Sequence, residues 1–99
     1  MNSIKLQGSL GTSRWSLVVN RERVKRAAAA GEIDIFVEGQ RADHCLNEAI
    51  STFYRDMRHH NKGKTKFKTR GAAEAALKRL PAYLQRWAYV AEETPVFLF

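Results

Sequence analysis

DHCLNEAISTFYRDMRHHNKGKTKFKT, residues 43–69, is the stretch that decides how this chain folds. In its first part Leu46, Ala49, Ile50, Phe53 and Met57 stand at i, i+3, i+4, i+7 and i+11, which lays one apolar stripe along a helix from about Asp43 to His59. Asp43 is placed to cap that helix, and Arg55, Arg58 and His59 fall in its last turns, where cations complement the helix dipole. The period then changes. Gly63, Thr65, Phe67 and Thr69 alternate with Lys62, Lys64, Lys66 and Lys68, so an extended segment puts all four lysines on one face and Phe67 on the other. A core helix followed at once by a lysine-faced strand implies an α+β domain.

Working outward toward the N-terminus, Ile33, Ile35 and Val37 alternate with Asp34, Phe36 and Glu38 before Gly39, which predicts a strand. Asn20 offers an N-cap to a helix over Arg21–Ala30, and Gly31 can take the left-handed conformation that ends it. Ile4 and Leu6, then Trp15, Leu17 and Val19, alternate around a break containing Gly8, Gly11, Thr12 and Ser13, which predicts a hairpin over Ile4–Asn20. Toward the C-terminus, Thr69 can cap a helix through Ala72, Ala73, Ala76, Leu77 and Leu80. Pro81 either kinks that helix or starts a second one at its first position, running on through Leu84, Trp87 and Ala88. Pro95 precedes Val96–Phe99, an apolar strand expected to dock on the sheet or, as a free edge, to pair with its own copy in a homodimer.

The expected order is ββαβαβααβ: a mixed or antiparallel sheet, a hairpin plus two or three further strands, against three to four helices. With 99 residues, 44% of them hydrophobic, and no repeat or compositional break, residues 1–99 read as a single α+β domain. Cys45 is the one cysteine, which excludes an intrachain disulfide and every multi-cysteine zinc pattern and suits a reducing cytosol. The N-terminus has no continuous apolar run of the signal-peptide kind, and nothing approaches the ~20 apolar residues of a membrane span, so a soluble cytoplasmic protein is expected.

Charge supplies the functional direction. Between Arg55 and Arg86 there are ten Lys and Arg against two acids, Asp56 and Glu74, whereas the whole chain has a net charge of +7. Clustered positive charge attracts phosphate polymers through counterion release. Lysines on one strand face recur every ~6.6 Å, a spacing on the scale of successive phosphates. The candidate contact residues are therefore Arg55, Arg58, Lys62, Lys64, Lys66, Lys68, Arg70, Lys78 and Arg79. Lysines also guard exposed sheet edges against aggregation, but one or two suffice for that. Arg21, Arg23, Lys25 and Arg26 form a secondary patch, divided between two helix faces, with Arg23 and Arg26 on one. Tyr54 and Tyr83 point toward the polar side of their helices and are the candidates for base stacking, whereas Trp87 belongs to the core stripe.

Catalytic and metal readings find little support. Asp43, His44 and Cys45 are consecutive, so their side chains diverge on a helix by ~100° each. Cys45 and His59 are separated by ~21 Å along the same helix. No glycine-rich phosphate loop, His-Glu-x-x-His pair or Gly-x-Ser-x-Gly elbow occurs, and Glu32, Asp34, Glu38, Glu92 and Glu93 lie at strand ends and loops. No enzyme activity, metal or cofactor is expected.

The stretch Lys64-Thr-Lys-Phe-Lys-Thr-Arg-Gly-Ala-Ala-Glu-Ala-Ala-Leu77 resembles the end of a double-stranded-RNA-binding domain, where basic residues lead into an alanine-rich final helix. That family sets three strands directly before the helix and keeps its lysines in the first helical turn. Here the helix over Asp43–His59 intervenes, and no site residue is carried over. Two functions are expected to compete: a small basic protein binding DNA or RNA through phosphates, and a phage or mobile-element protein that inhibits a host nucleic-acid-processing complex, as an anti-CRISPR does, by docking the same basic face on an acidic protein surface.

Overall fold

One short strand gathers the rest of the chain around it. The computed structural model describes residues 14–93, and in them β1 (Arg14–Val19) lies between β2 (Lys66–Phe67) and β3 (Ala88–Glu93), antiparallel to both. Around this sheet stand α1 (Arg21–Ala29), α2 (Ala42–His60), α3 (Arg70–Arg79) and α4 (Ala82–Gln85), an α+β arrangement in the order βααβααβ. Leu17 and Val19 point to the helical side of β1 and are buried there, opposite Val90 and Ala88 of β3. They join Val24 of α1, Leu46 and Met57 of α2, Ala76 of α3, and Leu84 and Trp87 in one core. Phe53 stacks on Trp87 with ring centroids 5.7 Å apart. Each fully buried Leu, Met or Val there contributes about 1.5–3 kcal/mol through loss of apolar surface from water.

The helix ends follow the sequence closely. The Asn20 side chain accepts from the Arg23 N–H and the Thr69 hydroxyl from the Ala72 N–H, so both expected caps form. At the end of α1, Gly31 is left-handed (φ +76°), with its N–H on the Ala28 carbonyl and the Glu32 N–H on the Ala27 carbonyl. These are the paired bonds of a Schellman terminus.

Four expectations are corrected. The long helix begins one residue early, at Ala42; its N-cap is Arg41, and Asp43 lies inside the first turn, where its charge still complements the dipole. Ile33–Val37 form no strand. Ile33 and Ile35 pack on the core, Ile35 and Val37 border a shallow depression with Cys45, Ala49 and Phe53 of α2, and the Val37 N–H meets Cys45 Sγ at 3.4 Å. An alternating pattern demands an apolar neighbour on one side, and here a helix provides it. Pro81 separates two helices, as the second of the two expected readings has it, but stands at the N-cap of α4 rather than at its first position, after an extended Leu80 has ended α3. Finally, the helix expected through Trp87 and Ala88 stops at Gln85, and Ala88–Glu93 is a strand. Ala and Glu favour helix, but all six residues of β3 pair with β1, and tertiary pairing outweighs that preference. The expected strand at Ile4–Leu6 and the docking or dimerising strand at Val96–Phe99 lie outside the described residues. Among those described, no helix is long and apolar enough to cross a membrane.

Candidate nucleic-acid interface

The site is built where α2 gives way to β2. Asn61 closes the helix, and the Gly63 N–H reaches back 2.6 Å to the Arg58 carbonyl, again a Schellman-type bond. The left-handed position in this terminus is held by Lys62 (φ +55°), where glycine is the usual residue because a Cβ is strained there. Gly63 is also left-handed (φ +84°), and the two together reverse the chain into β2. Because Lys62 is spent on the turn and regular pairing is confined to Lys66 and Phe67, the four lysines do not share one strand face. The chain arranges them around a groove.

Two open depressions meet at Phe67. One, of about 690 Å³, is bordered by Arg14, Lys64, Lys66, Phe67, Lys68, Thr69 and Ala72. The other, of about 670 Å³, is bordered by His60, Asn61, Lys62, Lys64, Phe67, Ala72, Ala75 and Arg79. Lys64, Phe67 and Ala72 are common to both, so the depressions form one channel with an apolar middle and cationic walls. The Lys64 ammonium lies 5.5 Å from the centre of the Phe67 ring. Phe67 is half-buried, its cross-strand partner is Trp15, and the Arg70 guanidinium stands 5.6 Å over the Trp15 ring. The N-terminus of α3 opens beside the first depression at Thr69 and Ala72. Its first turn carries no acid, and Arg70 stands where the dipole favours negative charge. Cations therefore outnumber carboxylates around the channel.

Within this group the cations differ in availability. Lys66 pairs with Glu93 at 3.1 Å, and Arg70 with Glu74 at 3.4 Å. Among the described residues no carboxylate lies within ion-pair distance of Arg14, Lys62, Lys64, Lys68 or Arg79. The hydrogen bond from Lys66, helped by the charges of Lys66 and Arg14 against some loss of hydration, holds the Glu93 carboxyl below its ordinary range.

The structure brings five of the nine expected primary residues to the channel, Lys62, Lys64, Lys66, Lys68 and Arg79, with Arg70 at its margin. Arg55 and Arg58 are exposed on α2 and Lys78 on α3, bordering neither depression. Tyr54 is half-buried, and its hydroxyl accepts the Val19 N–H at 3.1 Å. Tyr83 is 50% exposed and donates to Asp56 at 3.0 Å. Loss of hydration first, then that bond and the Asp56 charge, hold its hydroxyl above the ordinary value. Neither Arg14 nor His60 is among the contact residues expected from the sequence. Arg14 joins the channel only because β1 pairs with β2, and no local pattern announces that.

In the secondary patch, Arg23 and Arg26 do border one hollow, together with Arg86, Glu22 and Glu32. Its cations are taken: Arg26 pairs with Glu22, Arg23 donates to the Arg86 carbonyl, and Arg86 pairs with Glu32 while lying 4.2 Å over the Trp87 ring. Arg21 donates to Asn47, and Lys25 is exposed. Among the described residues no three His, Cys, Asp or Glu side chains gather as metal ligands. Comparison of the chain with protein-family models, curated proteins and solved structures finds no match.

Proposed function

We propose that this protein is a small, non-enzymatic nucleic-acid-binding protein that holds phosphates along the channel formed by Lys62, Lys64, Lys66, Lys68, Arg79 and Arg14. One observation carries the reading: these cations converge on a single concave surface, and among the described residues all but Lys66 lie beyond ion-pair distance of any carboxylate, Arg14 standing opposite Glu93 without pairing with it. Lysines that only protected the edge of β2 would have no reason to meet cations from β1 and α3 around a hollow. The left-handed Lys62 supports the same reading, because strained backbone is retained where the side chain is needed. Such contacts bind with little sequence preference and release counterions, so affinity falls steeply with salt.

The test is titration of labelled DNA and RNA, single- and double-stranded, at ~50 and ~200 mM salt, with a Lys64→Glu/Lys66→Glu/Lys68→Glu variant beside the native protein. Binding that weakens by at least about tenfold over that range and disappears in the variant is expected. No binding at ~50 mM salt to any of the four polymers rejects the proposal.

A second reading, a phage or mobile-element protein that inhibits a host nucleic-acid-processing complex, is favoured by one feature. Phe36 and Val37 are 49% and 53% exposed in the segment between α1 and α2. Apolar side chains presented in this way suit the centre of a protein interface, with the basic channel meeting acidic groups of the partner.

A further inference from the structure

We infer that the channel takes single-stranded nucleic acid, with one base stacked on Phe67 and the phosphates on either side of it held in the two depressions. The inference rests on the phosphate-binding reading above and deepens it. Phe67 is the point where the depressions meet, and no other Phe, Tyr or Trp among the described residues borders either one. A chain running through both passes the residues they share, Lys64, Phe67 and Ala72, of which Phe67 alone offers an aromatic ring. The cations are arranged about that crossing: Arg14, Lys66 and Lys68 belong to the first depression, Lys62 and Arg79 to the second, and Lys64 to both.

A duplex turns its base faces inward and offers the channel only phosphates and groove edges, so the apolar middle would face charged backbone. A single strand offers a base face for the ring and a phosphate for each side. The position of Lys64 fits this division. Its ammonium, 5.5 Å from the ring centre, is held by the ring's negative face and has no carboxylate partner among the described residues. It can follow a phosphate while the base takes the ring. Phe67 packs against the core, and it also borders both cationic hollows, which core packing alone does not require.

The decisive probe is an abasic oligonucleotide, which keeps every phosphate and removes every base. Anisotropy titrations at ~100 mM salt would compare oligothymidylate, an abasic strand of equal length and a duplex of equal length, against the native protein and Phe67→Leu. Leucine keeps apolar bulk at the sheet but has no π face, and thermal melting checks that the variant folds. Oligothymidylate is expected to bind about tenfold more tightly than the abasic strand. Phe67→Leu should lose that factor while binding the abasic strand as the native protein does. Equal affinity of the native protein for oligothymidylate and the abasic strand overturns the inference and leaves the phosphate reading standing, and this comparison requires no variant to fold. Failure of all three polymers to bind overturns the inference, and failure of RNA and DNA alike at ~50 mM salt overturns the phosphate reading with it.

Discussion

The channel beside β2 and the arginine patch on α1 have similar numbers of cations and hold them in opposite ways. On α1, each arginine has a partner inside the molecule: Arg21 with Asn47, Arg23 with the Arg86 carbonyl, Arg26 with Glu22. Arg86 ties the patch together through Glu32 and the Trp87 ring. In the channel, Lys62, Lys64, Lys68 and Arg79 have no acidic partner among the described residues and face a hollow, and Arg14 stands opposite Glu93 without an ion pair. Charge density alone does not make a binding surface. A cation already holding a carboxylate must give it up before meeting a phosphate, whereas an uncommitted one exchanges only water and counterions.

If the comparison is right, the two regions should separate under mutation. Reversing Lys64, Lys66 and Lys68 to Glu should weaken nucleic-acid binding by at least about 100-fold, through six units of altered charge at the phosphate sites, while melting temperature changes little. Arg86→Ala should do the converse. Losing its ring contact and ion pair should lower melting temperature by about 4–8 °C, the shift expected for roughly 1 kcal/mol in a domain of this size, with affinity within about twofold of native. The comparison fails if the arginine variant loses binding as the lysine variant does.

Lys62 sharpens the contrast within one residue. Lys62→Gly relieves the left-handed strain and should raise melting temperature by about 2–5 °C, while removing one phosphate contact lowers affinity about threefold. A variant that loses stability would show that the lysine stem has a packing role.

The smallest effect is expected at Lys66, the channel lysine that has an acidic partner. Glu93→Gln should release it and raise affinity about twofold at neutral pH. The pH dependence has a definite sign. Glu93 is held below its ordinary value in the folded protein. Its pairing therefore adds stability above the unfolded carboxylate range of about pH 4, and that contribution is lost as pH falls through the lowered folded value. The melting difference between native protein and Glu93→Gln should accordingly be present at neutral pH and close in acid.

How much of this was legible beforehand depends on the range of the forces involved. α2 was readable because its five apolar residues all serve one face of one helix. The caps at Asn20 and Thr69 were readable because a cap is a bond to a backbone group three residues away. β3 was not, because Ala88-Tyr-Val-Ala-Glu-Glu93 carries no strong local preference and becomes a strand by pairing with β1, more than sixty residues earlier. Ile33–Val37 misled for the complementary reason: their alternation is real, but periodicity does not say whether a sheet or a helix lies on the apolar side. At the channel, the lysines were visible as a run, while the commitment of Lys62 to a turn and the arrival of Arg14 and Arg79 were not.

The amino-acid sequence by itself determined the α+β class, the long core helix, the helix caps and the concentration of positive charge, all consequences of interactions between residues close along the chain. Only the tertiary structure decided which segments became strands, which cations were neutralised and which surrounded Phe67. Those outcomes depend on contacts between distant segments, whose geometry exists only once β1 has drawn β2 and β3 to its two edges.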